Sequence, residues 1–343
     1  MGASLKDVAA LAGVSVKTVS NVVSGNTYVA PPTREKVELA LAELNYRPNL
    51  SARNLRQGRT GVIALALPEL DAPYFAELTR FVIDAATEQG WTTIIEQTDG
   101  RPEREREVLQ GIREQRIDGL IFSPITVGAD ELADRTDTTA LVLLGERVID
   151  GPTHHVAIDN QRAAREVTEH LISLGHTRIA AIGRQTNPSA NTAHLRLAGY
   201  KEALTAAGLP YDEALAPPTD SYHRSDGAEI MASLLATNPP PQAVFCFNDL
   251  LALGAHRTAL AQGLRIPQDI AIAGFDDIED GRYSTPTLTT VAPDKAQIAR
   301  AAVQMLDQQI HGRRGTRRYD LREVTAAHRL LVRESTTSSR TSE

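Results

Sequence analysis

A single cysteine, Cys246, excludes an intramolecular disulfide framework and any paired-cysteine zinc or redox motif. No run of about 18 uncharged apolar residues is present, so no transmembrane helix is expected. The first twenty residues carry Lys6, Asp7 and Lys17 and lack the apolar stretch of a secretory signal, so a cytoplasmic location is expected. There is no GxSxG, no phosphate-binding loop, no GxGxxG and no HExxH, and enzyme readings find little support. Aromatics make up only 4% of residues, so an aromatic at a candidate site carries extra weight. What remains is ordinary globular composition, 42% apolar and 23% charged, in 343 residues, enough for two or three domains.

Taken whole, the formal net charge of −7 argues mildly against a nucleic-acid partner. Its distribution is uneven. Residues 1–60 hold eight basic and four acidic side chains, a net +4, which leaves −11 on the rest. A small basic module joined to a large acidic one is the asymmetry of a nucleic-acid-binding head on an acidic body. An excess that small also arises by chance, so the pattern within the segment has to decide.

Leu5, Val8, Ala9 and Ala12 recur at helical spacing, with Ser4 placed to cap the helix start. Gly13 breaks that helix. Ser15 is a second capping candidate, followed by Val16–Val23, whose Val19, Val22 and Val23 form one apolar face. Val16, Lys17, Thr18, Ser20 and Asn21 point elsewhere. Helix, glycine turn and second helix with a polar face is the layout of a helix-turn-helix, whose second helix enters the major groove. Short hydroxyls there can bond phosphates, while Lys and Asn can reach base edges. The alternative is a small helical domain without a DNA-binding role. A third helix is expected from about Pro32 to Leu44. The polar, basic stretch from Asn45 to Gly58 can hold a helical turn or two, too short to persist alone in water but able to order on binding.

The run Leu5–Ser20 (LKDVAALAGVSVKTVS) resembles the signature of the LacI/GalR family of bacterial transcription repressors. Thr33–Val37 (TREKV) and Leu44–Asn49 (LNYRPN) resemble its third helix and the entry to its hinge. The resemblance implies a helix-turn-helix head over 1–46 and a hinge over 47–60. It implies that Val16, Lys17 and Asn21 select operator bases. Ser4, Leu5, Ser15, Thr18, Ser20, Tyr28, Thr33 and Tyr46 would complete the head's DNA contacts, and Asn49, Ala52 and Arg56 those of the hinge. Leu55 would be the hinge leucine that wedges into the minor groove at the centre of a pseudo-palindromic site, unstacking a base step. Ala30 departs from the family pattern, which has a small polar cap there.

Beyond Gly61 the texture changes. Val62–Leu67 is a continuous apolar run stopped by Pro68, as in a strand buried on both faces. Similar runs lie at Thr93–Ile95, Leu120–Phe122, Leu141–Leu144, Val156–Ile158, Ile179–Ile182, Ala243–Phe247 and Ile270–Ala273. Helical stretches separate them, several closed by Gly90, Gly175, Gly208, Gly263 or Gly312. Repeated β-α units mean parallel sheets with helices on both faces, and so many strands favour two lobes. Ligands in such sheets bind beyond the carboxyl ends of strands. Ser123, Asp159-Asn160, Asn248-Asp249 and Asp276-Asp277 directly follow strands. Tyr74-Phe75 follows the first after a short loop, and Arg196 lies near a helix start. Carboxylates, amides and a guanidinium suit a polyhydroxylated ligand, and rings suit its apolar face. The competing reading is that the Asp and Asn residues only cap helices.

The resemblance extends over nearly the whole chain and implies the α/β, periplasmic-binding-protein-like (type I) fold. That core would span 61–335, with lobe 1 about 61–160 and 291–323 and lobe 2 about 161–290 and 324–335. Tyr74, Phe75, Ser123, Asp159, Thr192, Arg196, Tyr222, Asn248 and Asp276 occupy the positions that line the family's effector cleft. The expected partners are double-stranded operator DNA, a small effector such as a sugar, and a second copy in a homodimer, with no membrane, metal or cofactor. The pair His154-His155 reads as a solvated loop, the run Glu103–Glu107 as an exposed salt-bridged helix face, and the Ser/Thr-rich tail, 336–343, as disordered. An uptake binding protein or an enzyme on a two-lobe scaffold are the competing classes, and the head speaks against both.

Overall fold

The computed structural model describes residues 3–23, 28–46, 59–110, 117–146, 152–312 and 322–337. The chain divides into two compact units, residues 1–61 and 62–343.

The first unit contains helices α1 (Leu5–Ala12), α2 (Val16–Val23) and α3 (Pro31–Glu43). Ser4 and Asp7 form a reciprocal capping box at the start of α1, and Gly13 ends it in the left-handed conformation at φ 63°. Ser15 Oγ accepts from the Thr18 backbone N–H at 3.1 Å, so both serines cap as the sequence indicates. α3 starts with Pro31 in its first turn, where a missing N–H costs nothing, and Ala30 supplies no side-chain cap. Val8, Val19 and Val37, one from each helix, are fully buried against one another. At about 1.5–3 kcal/mol per buried aliphatic side chain, this small cluster is what holds three short helices together.

The second unit contains two sheets. The first has the order β10-β5-β4-β3-β1-β2, built from β1 (Val62–Leu67), β2 (Thr92–Gln97), β3 (Gly119–Phe122), β4 (Ala140–Leu144), β5 (His154–Ile158) and β10 (Glu323–Ala326). The second has the order β11-β9-β8-β7-β6, built from β6 (Ile179–Ile182), β7 (Ala243–Cys246), β8 (Ala271–Phe275), β9 (Thr289–Pro293) and β11 (His328–Leu331). Among the described residues all strand pairs are parallel except β11 with β9, which departs from the all-parallel expectation. β1, β3, β4, β5, β6, β7 and β8 are almost wholly buried, which explains their unbroken apolar runs.

The helices relevant to the site are α4 (Pro73–Glu88), α5 (Pro102–Leu109), α6 (Ala129–Ala133) and, last in the chain, α12 (Lys295–Gly312) around the first sheet. Around the second lie α7 (Asn160–Ser173), α8 (Asn191–Ala206), α9 (Arg224–Leu235), α10 (Asp249–Ala261) and the short α11 (Glu279–Arg282). The chain passes between lobes after β5, after β9 and after β10. The last two passages, near Asp294 and Ala327, fall about three residues beyond the expected 290 and 324, because the β9 run Thr289–Pro293 pairs with β8 and β10 pairs with β5.

Four further expectations are corrected. His154 and His155 are not in a solvated loop; they are 5% and 3% exposed and begin β5. Among the described residues no group of three potential ligands could hold a metal ion. Glu105 is not on an exposed face: its carboxylate is fully buried and accepts bonds from the backbone N–H groups of Ile125, Thr126 and Val127 and from the Thr126 hydroxyl, at 2.6–2.9 Å. The tail expectation fails at Thr336, which is 4% exposed and bonds Thr289 Oγ1 at 2.7 Å and His170 Nε2 at 2.9 Å. Residues 338–343 lie outside the described residues. Gly312 is the last residue of α12 rather than a cap beyond it.

Candidate functional site

In the first unit, the outward face of α2 carries Val16, 41% exposed, and Lys17, also exposed. Thr18, Ser20 and Asn21 are half-buried beside them. The Ser15 and Thr18 hydroxyls lie 2.9 Å apart at the start of this helix. Tyr28 is 96% exposed. Thr33 sits in the first turn of α3. Leu5 and Tyr46 are partly buried against the small core, so both also serve packing. Ser4 caps α1 while remaining exposed. A helix start with two hydroxyls, one ammonium and one amide on its open side can bond phosphates and base edges. Asn49, Ala52, Leu55 and Arg56 lie outside the described residues.

In the second unit, a cleft of about 660 Å³ opens beyond the carboxyl ends of both sheets. Of the nine effector candidates, eight line it: Tyr74, Phe75, Ser123, Thr192, Arg196, Tyr222, Asn248 and Asp276. Asp159 does not. Its carboxylate accepts from the Arg162 N–H at 2.9 Å, so it caps α7 and faces outward.

Tyr74 and Phe75 enter from the first turn of α4, which Pro73 starts, with their rings edge to face at 5.2 Å. The Tyr222 hydroxyl donates to the Gly183 carbonyl at 2.7 Å. Asn248 accepts from the Leu251 N–H at 2.8 Å and donates to the Tyr222 carbonyl at 3.1 Å. It is therefore a helix cap that also fixes an aromatic wall, and the two readings of that position are compatible.

Arg196 is 7% exposed and held on three sides. Nε donates to Asn160 Oδ1 at 2.7 Å, Nη1 bonds the Phe247 carbonyl, and the guanidinium stacks 3.5 Å above the Phe275 ring. Nη2 lies 3.9 Å from the Asp276 carboxylate. Asp276 has φ 110°, a conformation that costs a side-chain-bearing residue energy and that surrounding contacts must enforce. Those contacts are visible. The buried Asp249 carboxylate accepts from the Ile278 N–H at 2.9 Å and the Thr290 hydroxyl at 2.6 Å. Asp277 is paired with Arg333 at 2.6 Å and Arg282 at 3.0 Å. Burial pushes the Asp276 carboxyl up to about 6, against the opposing pull of Arg196 and Lys295. Burial raises Asp249 as well.

Glu146 was absent from the candidates. It lies two residues beyond β4, is 8% exposed, and accepts from the Thr192 hydroxyl at 2.8 Å, while its carbonyl accepts from Asn191 Nδ2 at 3.1 Å. These bonds join the first lobe to the start of α8 in the second. The rule that strand ends bear ligand contacts could have found it, because Leu144 closes an apolar run.

A helix-turn-helix unit and a two-lobe core with a polar, ring-walled cleft define a ligand-responsive DNA-binding regulator. Residues 4–49 match the bacterial regulatory proteins of the lacI family, and residues 168–336 match the periplasmic binding protein-like domain. The ribose operon repressor of Escherichia coli K12 is 34% identical over 311 residues, 90% of this chain and 93% of its own. The solved structure of the transcriptional regulator CelR in complex with cellobiose matches with a TM-score of 0.71 at 32% identity, over 97% of this chain and 99% of that one. The lac repressor dimer bound to operator and the anti-inducer ONPF matches with a TM-score of 0.79 at 28% identity, over 98% and 99%. The chain belongs to the LacI family and is a DNA-binding transcriptional regulator. No helix among the described residues is long and apolar enough to cross a membrane.

Proposed function

We propose that the protein is a homodimeric cytoplasmic repressor. Its paired heads bind a pseudo-palindromic operator, and its cleft binds a sugar or related metabolite. The observation that carries the effector reading is the composition of the cleft: Asp276, Arg196 and Thr192 offer acceptors and donors beside the Tyr74 and Phe75 rings. That combination matches a ring with hydroxyls on its edge and C–H groups on its face. Relatives with cellobiose or a ribose operon in their names support the same class. The protein would act by binding and not by catalysis.

Regulation follows from geometry. Effector contacts come from both lobes, so the ligand stabilises one lobe arrangement over another by its differential affinity for them. Lobe movement would change the spacing of the two hinges in the dimer and so the ordering of the segment around Leu55. The test is operator selection from a random DNA pool with the full chain, followed by gel shift with and without sugars. A pseudo-palindromic site whose occupancy responds to a sugar is expected; an unresponsive site would contradict the effector reading.

A further inference from the structure

We infer that the cleft is built for an uncharged polyhydroxylated effector, with room for more than one sugar ring, and discriminates against phosphorylated and carboxylated ligands. The inference rests on the effector reading of the cleft. Among the described residues, five carboxylates line it, those of Glu69, Asp99, Glu146, Asp220 and Asp276, against one cation, Arg196. Asp99 is matched by Arg104 at 2.6 Å and can be discounted. The imbalance persists without it. No lysine is among its described lining residues.

Arg196 is not a free anion receptor. Asn160, the Phe247 carbonyl and Asp276 surround its guanidinium, and the Phe275 ring covers one face. A guanidinium already opposed by a carboxylate presents little net charge to a ligand, although its remaining N–H can donate to a hydroxyl.

Helix starts are the other usual anion seats. Two of those at the cleft, the starts of α8 and α10, already hold a side chain. Glu146 places its carboxylate against Thr192 in the first turn of α8, where a phosphate would otherwise sit. Asn248 fills the same role at α10 with its own side-chain oxygen. An incoming phosphate would meet a carboxylate at one and a satisfied cap at the other.

Size points the same way. At about 30 Å³ per water molecule, a cavity of about 660 Å³ holds roughly twenty waters, more than one six-membered ring displaces.

The test is calorimetric titration of the full chain with matched pairs: glucose and glucose 6-phosphate, ribose and ribose 5-phosphate, cellobiose and its aldonic acid. At least one neutral member should bind saturably, with its charged counterpart at least tenfold weaker. In a Glu69→Gln/Asp220→Asn variant that gap should shrink, a change that a purely structural role for these side chains would not produce. A charged member that binds as tightly as its neutral partner, or a gap that the variant leaves unchanged, overturns the charge argument and leaves the cleft reading standing. Binding by neither kind overturns the cleft reading itself.

Discussion

The Lys295 ammonium, at the start of α12 in the first lobe, lies 2.7 Å from the carbonyl oxygen of Asp276 in the second. It also donates to Glu77 on α4 at 2.6 Å and to the Asp277 carbonyl at 3.3 Å, which uses all three of its N–H donors. Tyr74 and Phe75 belong to that same α4. One buried side chain therefore ties the loop that presents Asp276 to the helix that presents the aromatic wall.

Lys295→Met should remove that tie and leave Glu77 partly buried without its partner. A loss of about 3 kcal/mol in core stability is expected, with effector affinity retained more than the effector's influence on operator affinity. Denaturant unfolding and paired binding titrations measure the two. In a cycle with Glu77→Gln, the double variant should lose clearly less than the two single losses added together.

Asp276 should trade stability for function. Its carboxyl sits near 6 in the folded chain, above its ordinary 3.8, so the ionised form is disfavoured there. The unfavourable contribution is absent below about pH 4 and complete above about pH 6. Asp276→Asn should therefore stabilise the unliganded core at pH 7.5, by up to about 3 kcal/mol, and show no gain at pH 4. The same change should abolish effector binding. In the native chain, effector affinity should fall as pH drops through about 6, because protonation turns one acceptor oxygen into a donor and removes the charge that strengthens bonds from hydroxyls. Thermal melts and titrations at pH 5 and 7.5 check both signs.

Glu105→Gln should loosen the loop from Pro124 to Val127, which borders the cleft. A neutral amide cannot accept all four donors that the carboxylate holds. A cost of about 2 kcal/mol is expected, with faster backbone hydrogen exchange at Ile125–Val127 and weaker effector binding. Unchanged exchange there would contradict the role.

In the head, Asn21→Ala and Lys17→Ala should change base preference by about 1–3 kcal/mol at particular operator positions. Ser15→Ala should instead weaken all sequences alike, since its hydroxyl caps α2 and its expected DNA contact is a phosphate. Leu55→Ala should reduce specific binding strongly and non-specific binding little; equal losses would contradict a wedge.

Local chemistry made much of this legible in the sequence. Gly13 and the two serines mark the head because capping and turn geometry are short-range. Val62–Leu67 and its successors mark the sheets because burial on both faces demands unbroken apolar runs. Position after a strand marked Ser123, Asn248 and Asp276. The same rule misplaced Asp159, where a cap and a ligand contact use the same residue type, and Asn160 beside it is the one that reaches Arg196. Thr289–Pro293 has no apolar run to mark it as a strand, because its threonines satisfy their hydroxyls on Asp249, Arg333 and Thr336, partners distant in sequence. Lys295 and Glu77 lie 218 residues apart, and no local pattern announces such a pair. Glu105 looked like one acid among several because alternating charge conceals the single one that turns inward.

The most direct test of ligand control through the cleft is operator affinity of the full chain as a function of a neutral sugar that binds it, measured in parallel for Asp276→Asn. The native protein should show a saturable change of at least tenfold, with a midpoint that follows the sugar's own affinity, and the variant should show none. A sugar that binds the native chain yet leaves operator affinity unchanged, or one that shifts the variant equally, would contradict it.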